Sequence, residues 1–248
     1  MGAGFAAAGA IAAGFSVWYF VLRDVARPTT VGEAVTSFRE GKRGRDASLV
    51  PAGVYVYATD GFEKTDALTG ITHRYPSRST ITVTGDPCGV RMRWDVLEGR
   101  STTWTFCIDS GDWVMTTQDE RHTFFHVTER TVYACSDGLF RPRGDLPGQR
   151  VAVTCTASGT NEQETQWVVG RESLPVGRKH VQSVHIRQAI ALTGHSRGRS
   201  TYDLWLDRQS GVPVRIAMVS RTTNDSPVGN VHYEEIVDLR LLSLVPRR

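Results

Sequence analysis

From residue 51 onward the side chains alternate between apolar and polar with a period of two, and no other feature constrains the fold as tightly. The runs 54–58, 79–84, 90–96, 102–108 and 113–117 read as strands, as do 124–127, 132–135, 151–156, 166–171, 181–191, 200–207, 214–222 and 231–242. Turn pairs punctuate them: Asp86-Pro87, Glu98-Gly99, Ser110-Gly111, Asp137-Gly138, Ser210-Gly211 and Ser226-Pro227. Strand following strand predicts an antiparallel meander and excludes a βαβ chain. The runs lengthen toward the C-terminus, as in a wide curved sheet or half-barrel. A short helix is expected over 31–39, where Thr30 and Glu33 form a capping box and Val31, Ala34, Val35 and Phe38 share a face. Residues 62–68 are the other helical candidate.

Ahead of this region, residues 2–22 carry no charge, which is long enough to span a bilayer as a helix. Trp18 and Tyr19 suit an interfacial belt, and the basic n-region of a cleaved signal peptide is missing. The expected fold class is therefore mainly β, an antiparallel meander forming a curved sheet or half-barrel with a few short helices, after an N-terminal transmembrane helix. Three parts follow: an anchor over 1–27, a short helix and basic linker over 28–50, and a β-rich domain over 51–248. Arg23, Arg27, Arg39, Lys42, Arg43 and Arg45 would by the positive-inside rule hold that domain in the cytoplasm. Cys88, Cys107, Cys135 and Cys155 argue the reverse, because an even count at similar spacings suits disulfides in an oxidising compartment. A single-pass protein of the cell membrane with an extracytoplasmic C-terminal domain is the expectation.

Four cysteines permit three pairings, and the local one, 88 with 107 and 135 with 155, is preferred. A simple hairpin joining Cys88 to Cys107 puts Met92 and Trp94 on one face with Thr103 and Ser101, and Trp104 and Phe106 on the other. A bulge, two covered faces or a different pairing would resolve the conflict. The absence of a C-x-x-C pair favours structural bridges over a redox switch.

Residue patterns for catalysis are sparse. His122 and His126 stand four apart among strand-forming residues, which separates them by about 13 Å on a strand, too far for one metal ion. His73, His180, His185, His195 and His232 offer no ligand spacing either, so no metal and no cofactor are expected. G-x-S-x-G, P-loop and dinucleotide fingerprints do not occur, and residues 194–198 read as a hairpin loop. Glu234 and Glu235 point to opposite faces of a strand and cannot act as a carboxylate pair, and residues 162–164 read as a polar loop. No catalytic residue is assigned. A net charge of +3 with scattered basic residues gives no nucleic-acid surface.

Aromatic and aliphatic residues carry the remaining signal. Trp94, Trp104 and Phe106, together with Tyr202, Leu204, Leu206, Val214, Ile216 and Met218, are the candidate lining of an apolar cavity within a curved sheet. The same pattern would also serve a packed core. The stretch from Asp203 to Arg215, Asp-Leu-Trp-Leu-Asp-Arg-Gln-Ser-Gly-Val-Pro-Val-Arg, resembles a hairpin of the lipoprotein-carrier superfamily, which includes carriers of the LolA type, envelope lipoproteins of the LppX and LprG type and the N-terminal domain of RseB. The resemblance implies a half-open barrel closed by helices, with a cavity for lipid or acyl chains. This chain lacks that group's lipid-modified cysteine, and a fixed anchor would suit a stationary acceptor, a lipid-sensing regulator or a subunit of an envelope assembly. The expected function is non-catalytic binding of a lipid or other apolar envelope ligand, with the membrane contacted through residues 2–22. The alternative is an interaction module with an envelope protein partner and a packed core.

Overall fold

The computed structural model describes residues 25–41, 50–109, 112–141, 147–226 and 229–248. Over these residues the alternation becomes antiparallel strands: β1 (Gly53–Thr65), β2 (Ile71–Arg74), β3 (Arg78–Asp86), β4 (Gly89–Leu97), β5 (Arg100–Asp109), β6 (Asp112–Phe124), β7 (Val127–Arg141), β8 (Arg150–Ala157), β9 (Thr160–Val176), β10 (Lys179–Gly194), β11 (Ser196–Asp207), β12 (Pro213–Ser226) and β13 (Gly229–Leu241). From β3 to β13 each strand pairs with its sequence neighbours. The sheet then closes, because β1 pairs with β3 along one edge and with β13 along the other, from Tyr57 opposite Leu241 to Thr65 opposite Tyr233. Short β2 extends the β1 edge beyond β3. The result is a closed antiparallel barrel of twelve strands.

This closure corrects the expected half-barrel. An open sheet would leave two unpaired edges, and pairing β1 with β13 removes them. Where β1 outruns β13, the C-terminal segment completes the ladder, with Val54 and Arg247 exchanging both backbone hydrogen bonds at 2.9 Å. The expected membrane helix is corrected as well. Among the described residues no helix is long and apolar enough to cross a membrane, and the proposed span, 2–22, lies outside the described residues. A single-pass address is therefore unsupported, whereas the two disulfides accord with an extracytoplasmic location. The outer wall carries charge pairs. Arg93–Asp95, Arg187–Asp203, Arg221–Glu234 and Arg215–Asp238 pair along it at 2.7–3.1 Å, where a lipid-facing barrel would carry an apolar band.

The helix forms as expected. α1 (Val31–Glu40) begins at Thr30 with both halves of the capping box in place, and lies outside the barrel against β1 and β3. Residues 62–68 are not helical: β1 runs on to Thr65 and a turn follows. The expected turn at Asp137-Gly138 lies within β7, and the run 124–127 is a hairpin tip with Phe125 and His126 at positive φ.

Both disulfides are the local ones, Cys88–Cys107 and Cys135–Cys155. The register conflict resolves by a one-residue offset. Gly89, not Cys88, stands opposite Cys107, so Val90, Met92 and Trp94 face Phe106, Trp104 and Thr102 on the inner wall. Cys135 and Cys155 stand directly opposite each other. Curvature is supplied at Gly61 and Gly198, whose φ values of +149° and +152° are open to glycine. A Cβ there would sit 2.1 Å from the Ile236 carbonyl oxygen and 2.2 Å from that of Arg221. Gly61→Ala should therefore destabilise the fold by more than about 1 kcal/mol, read from denaturant midpoints. Removing Cys135–Cys155 by paired serine substitution should lower unfolding free energy by roughly 3 kcal/mol, measured by calorimetry.

Candidate functional site

The inward positions divide the lumen into two halves. At the end holding the β4–β5 disulfide, Tyr55, Ile81, Val83, Val90, Met92, Phe106, Trp113, Leu206 and Leu239 are all buried and pack as an ordinary core. Toward the opposite end the inner wall turns polar. Glu63, His73, Arg100, Gln118, Glu162, Glu164, Gln166, Gln188 and Glu235 are buried there. Strand register explains the grouping. Glu164, Ile190, Ser200, Ser220, Glu235 and Glu63 occupy successive paired positions on β9, β10, β11, β12, β13 and β1, so one row of the wall is almost wholly polar.

One side of this polar half is closed by a charged network. Arg100 crosses the lumen from β5 and grips Glu235 through both its Nε (3.1 Å) and Nη2 (2.9 Å), while its Nη1 donates to Thr102 (2.6 Å). Tyr75 and Tyr233 donate to the same carboxylate, Tyr233 at 2.9 Å. Glu63 lies 3.3 Å from the Tyr233 hydroxyl, 3.0 Å from His73 and 3.2 Å from His122. Phe124, from the β6–β7 hairpin, stacks on His73 at 4.9 Å and covers it. Burial pushes the Glu63 carboxyl up, but the hydrogen bonds of His122 and His73 and the charges of His122 and Arg100 outweigh it and hold the group at about 2. Burial and Arg100 push His122 down, and its bonds to Glu120 and Glu63 reverse this and raise it to about 9. Each ionisable group here is held by another, as a buried network must be if it is to be stable.

The opposite wall behaves differently. Among the described residues Glu162 has no hydrogen-bond or ion-pair partner, although it is 5 % exposed. Burial raises its carboxyl to about 9, and the charges of Glu120 and Glu164 add to the rise. Burial likewise raises Glu164 to about 7 against a single hydrogen bond from Gln166 Nε2. The Gln166 Oε1 is buried without a partner. Among the described residues the Gln188 side chain and the hydroxyl of half-buried Tyr202 also have no hydrogen-bond partner. Uncompensated polar groups of this kind are expensive in a folded interior.

Between the halves lies a cavity of about 30 Å³, lined by Gln118, Glu164, Gln188 and Tyr202 on its polar side and by Ile81, Met92, Trp104, Phe106, Leu204 and Ile216 below. Five of the residues expected to line an apolar cavity, Trp104, Phe106, Tyr202, Leu204 and Ile216, do so. Trp94, Leu206, Val214 and Met218 are buried in the wall and filled core instead. Val214 is the extra residue of a bulge, since Leu206 pairs with Pro213 and Trp205 with Arg215. A wider groove of about 1040 Å³ lies outside the barrel, between α1 and the β3–β4 wall. Exposed Glu33, Arg39, Arg93 and Glu98 line it, and water satisfies such groups already.

The carboxylate wall was missed in the sequence because 162–164 reads as a loop; it lies near the start of long strand β9. The available signal was the period-two series Glu162, Glu164, Gln166, Val168, an inner face that begins charged and ends apolar. Glu234 and Glu235 do point oppositely: Glu234 pairs outside with Arg221 and Glu235 faces the lumen. Among the described residues no three His, Cys, Asp or Glu side chains are grouped to hold a metal ion. No family model, curated protein or solved structure matches the chain.

Two outcomes follow. Glu63 stabilises the fold above about pH 4.5 and loses that contribution as pH falls through 2. His122 stabilises it below about 6.5 and loses that contribution as pH rises through 9, while the cost of Glu162 grows from 4.5 to 9. Thermal melts should therefore show stability peaking near pH 4.5 and falling on either side, and Glu162→Gln should stabilise by on the order of 2 kcal/mol at pH 8 and by little at pH 4. Arg100→Ala, which strands Glu235 in the lumen, should cost roughly 3–5 kcal/mol in urea unfolding.

Proposed function

We propose that the barrel is a non-catalytic binding domain that holds a small ligand by its polar group in the acidic half of the lumen. The observation that carries this reading is the cavity where Glu164, held by a single hydrogen bond from Gln166, meets Gln188 and Tyr202, with buried Glu162 two residues along the same inner face of the strand. A closed barrel with convergent polar groups over an apolar floor is a common design for a ligand site. Binding rather than catalysis is favoured because His122, Arg100, Tyr233 and Glu235 are already engaged with one another.

The size of the cavity bears on the ligand. Drug-sized ligands occupy roughly 300–1,000 Å³, and the central cavity is about 30 Å³. The apolar half is filled, so a long acyl chain running its length finds no room, and a compact ligand entering from the polar half is favoured over a lipid of the lipoprotein-carrier kind. Native mass spectrometry on the full chain, purified from an oxidising compartment without denaturant, tests the reading. A small non-covalent adduct that Glu162→Gln loses is the expected result. A bare polypeptide, both as purified and after incubation with a library of small polar metabolites, would contradict it.

A further inference from the structure

The charged groups at the heart of the polar half are covered. Glu63, Arg100, Glu164 and Glu235 are at most 3 % exposed, and the lumen beside them offers a cavity of about 30 Å³. A ligand larger than water therefore enters only if some piece of the barrel moves. Backbone pairing shows which piece is least tied to the rest. At this end β5 follows β6 only as far as Ser101 opposite Arg121, and β8 meets β7 only from Ala134 onward. Between those points residues 122–129 pair with themselves alone, His122 with Glu129, Thr123 with Thr128 and Phe124 with Val127. Among the described residues no other backbone hydrogen bond joins them to the barrel.

This hairpin leans over the polar end, where β3 stops at Arg78 while β1 runs on to Thr65. Side-chain contacts hold it there. His122 lies 3.2 Å from Glu63 and 3.3 Å from the Tyr233 hydroxyl. Phe124 stacks on His73 at 4.9 Å and meets Tyr233 edge-on at 6.2 Å, and Thr123 packs against Gly99. The turn itself carries a cost. Phe125 and His126 take φ values of +51° and +63°, which Asn-Gly would adopt freely in a two-residue hairpin turn. Few backbone ties, a half-buried clasp and a strained turn put the hairpin at the low-stability end of the fold, from which lids are drawn.

From this geometry we infer that the β6–β7 hairpin is a lid, swinging off Glu63, His73 and Tyr233 while the ring of strands stays closed, and is the entrance to the polar half of the lumen. Its purpose rests on the ligand-binding reading above; its motion rests on the hairpin alone. Opening parts His122 from Glu63 and Phe124 from His73, and leaves the grip of Arg100 on Glu235 intact.

The test is modification of histidines by diethylpyrocarbonate in the full chain, native disulfides intact, mapped by peptide mass spectrometry. His73 and His185 are almost equally buried, at 4 % and 6 % exposed, but His73 lies under the hairpin and His185 in the β10 wall. A lock can be built. A Cβ at Gly99 would stand 2.7 Å from that of Thr123, within about 1 Å of a disulfide's span, so Gly99→Cys/Thr123→Cys can bridge the hairpin to the β4–β5 turn. The expected result is modification of His73 at least about ten-fold slower in the bridged double variant than in either single variant, with His185 unchanged. An unchanged His73 rate would show access by another route, and parallel slowing of His185 would show access only through unfolding of the whole barrel; either overturns the lid. Should the double variant fail to fold, NMR relaxation dispersion on the native chain decides. Microsecond-to-millisecond exchange shared by residues 122–129, with β9, β10 and β11 quiet, is expected, and exchange that is absent or spread around the ring overturns the lid. Neither measurement needs a ligand. A moving hairpin with a bare native mass spectrum would keep the motion and remove its purpose, and an adduct with a motionless hairpin would overturn the lid and leave the ligand-binding reading standing.

Discussion

Pairing of β1 with β13 is the constraint on which the rest depends. Once Tyr57 meets Leu241 and Thr65 meets Tyr233, every strand from β3 to β13 belongs to a ring, and each inward side chain is committed to a shared interior. Closure removes the sheet edges through which such a long meander would otherwise pair with other chains. It also creates a filling problem, because a twelve-stranded ring encloses more space than small barrels fill with apolar side chains alone. The chain meets it in two ways. One half of the lumen is packed with aromatic and aliphatic residues, and the other is spanned by Arg100 and the tyrosines and histidines gathered on Glu235 and Glu63.

These two fillings have different energetic standing. The apolar half gains from burial directly. The charged half must offset large desolvation costs, and it does so on the β13–β1 side, where Arg100 meets Glu235 in a two-point grip and Glu63 lies between two histidines. On the β9 side it does not. Glu162 and Glu164 remain buried without cations, and burial pushes both carboxyls up. The proposed ligand site rests on this contrast between a satisfied wall and an unsatisfied one within a single lumen.

Much of the fold was legible in the sequence. Period-two alternation located most of the strands, the capping box at Thr30 and Glu33 fixed the helix start, and cysteine spacing indicated the two local bridges. The closure was not legible, because β1 and β13 lie at opposite ends of the chain and carry no mark that they pair. Nor was the one-residue offset beyond Cys88, which depends on the turn and not on the hydrophobic pattern. The polar lumen was hidden for a related reason. Inward-facing Glu162, Glu164 and Gln166 alternate with outward-facing polar residues, so the segment shows no apolar face and reads as a loop, while Glu63, Arg100 and Glu235 come together only through the ring.

The most direct measurement is a carbon NMR titration of the glutamate side-chain carboxyls in the free protein. Glu162 should remain protonated at neutral pH and titrate at about 9, far from the 4.5 of a solvated glutamate, while Glu63 should stay ionised down to about 2. If Glu162 instead titrates near 4.5, its carboxyl is bathed in water or paired, and a buried, uncompensated acidic wall inside a closed barrel is contradicted.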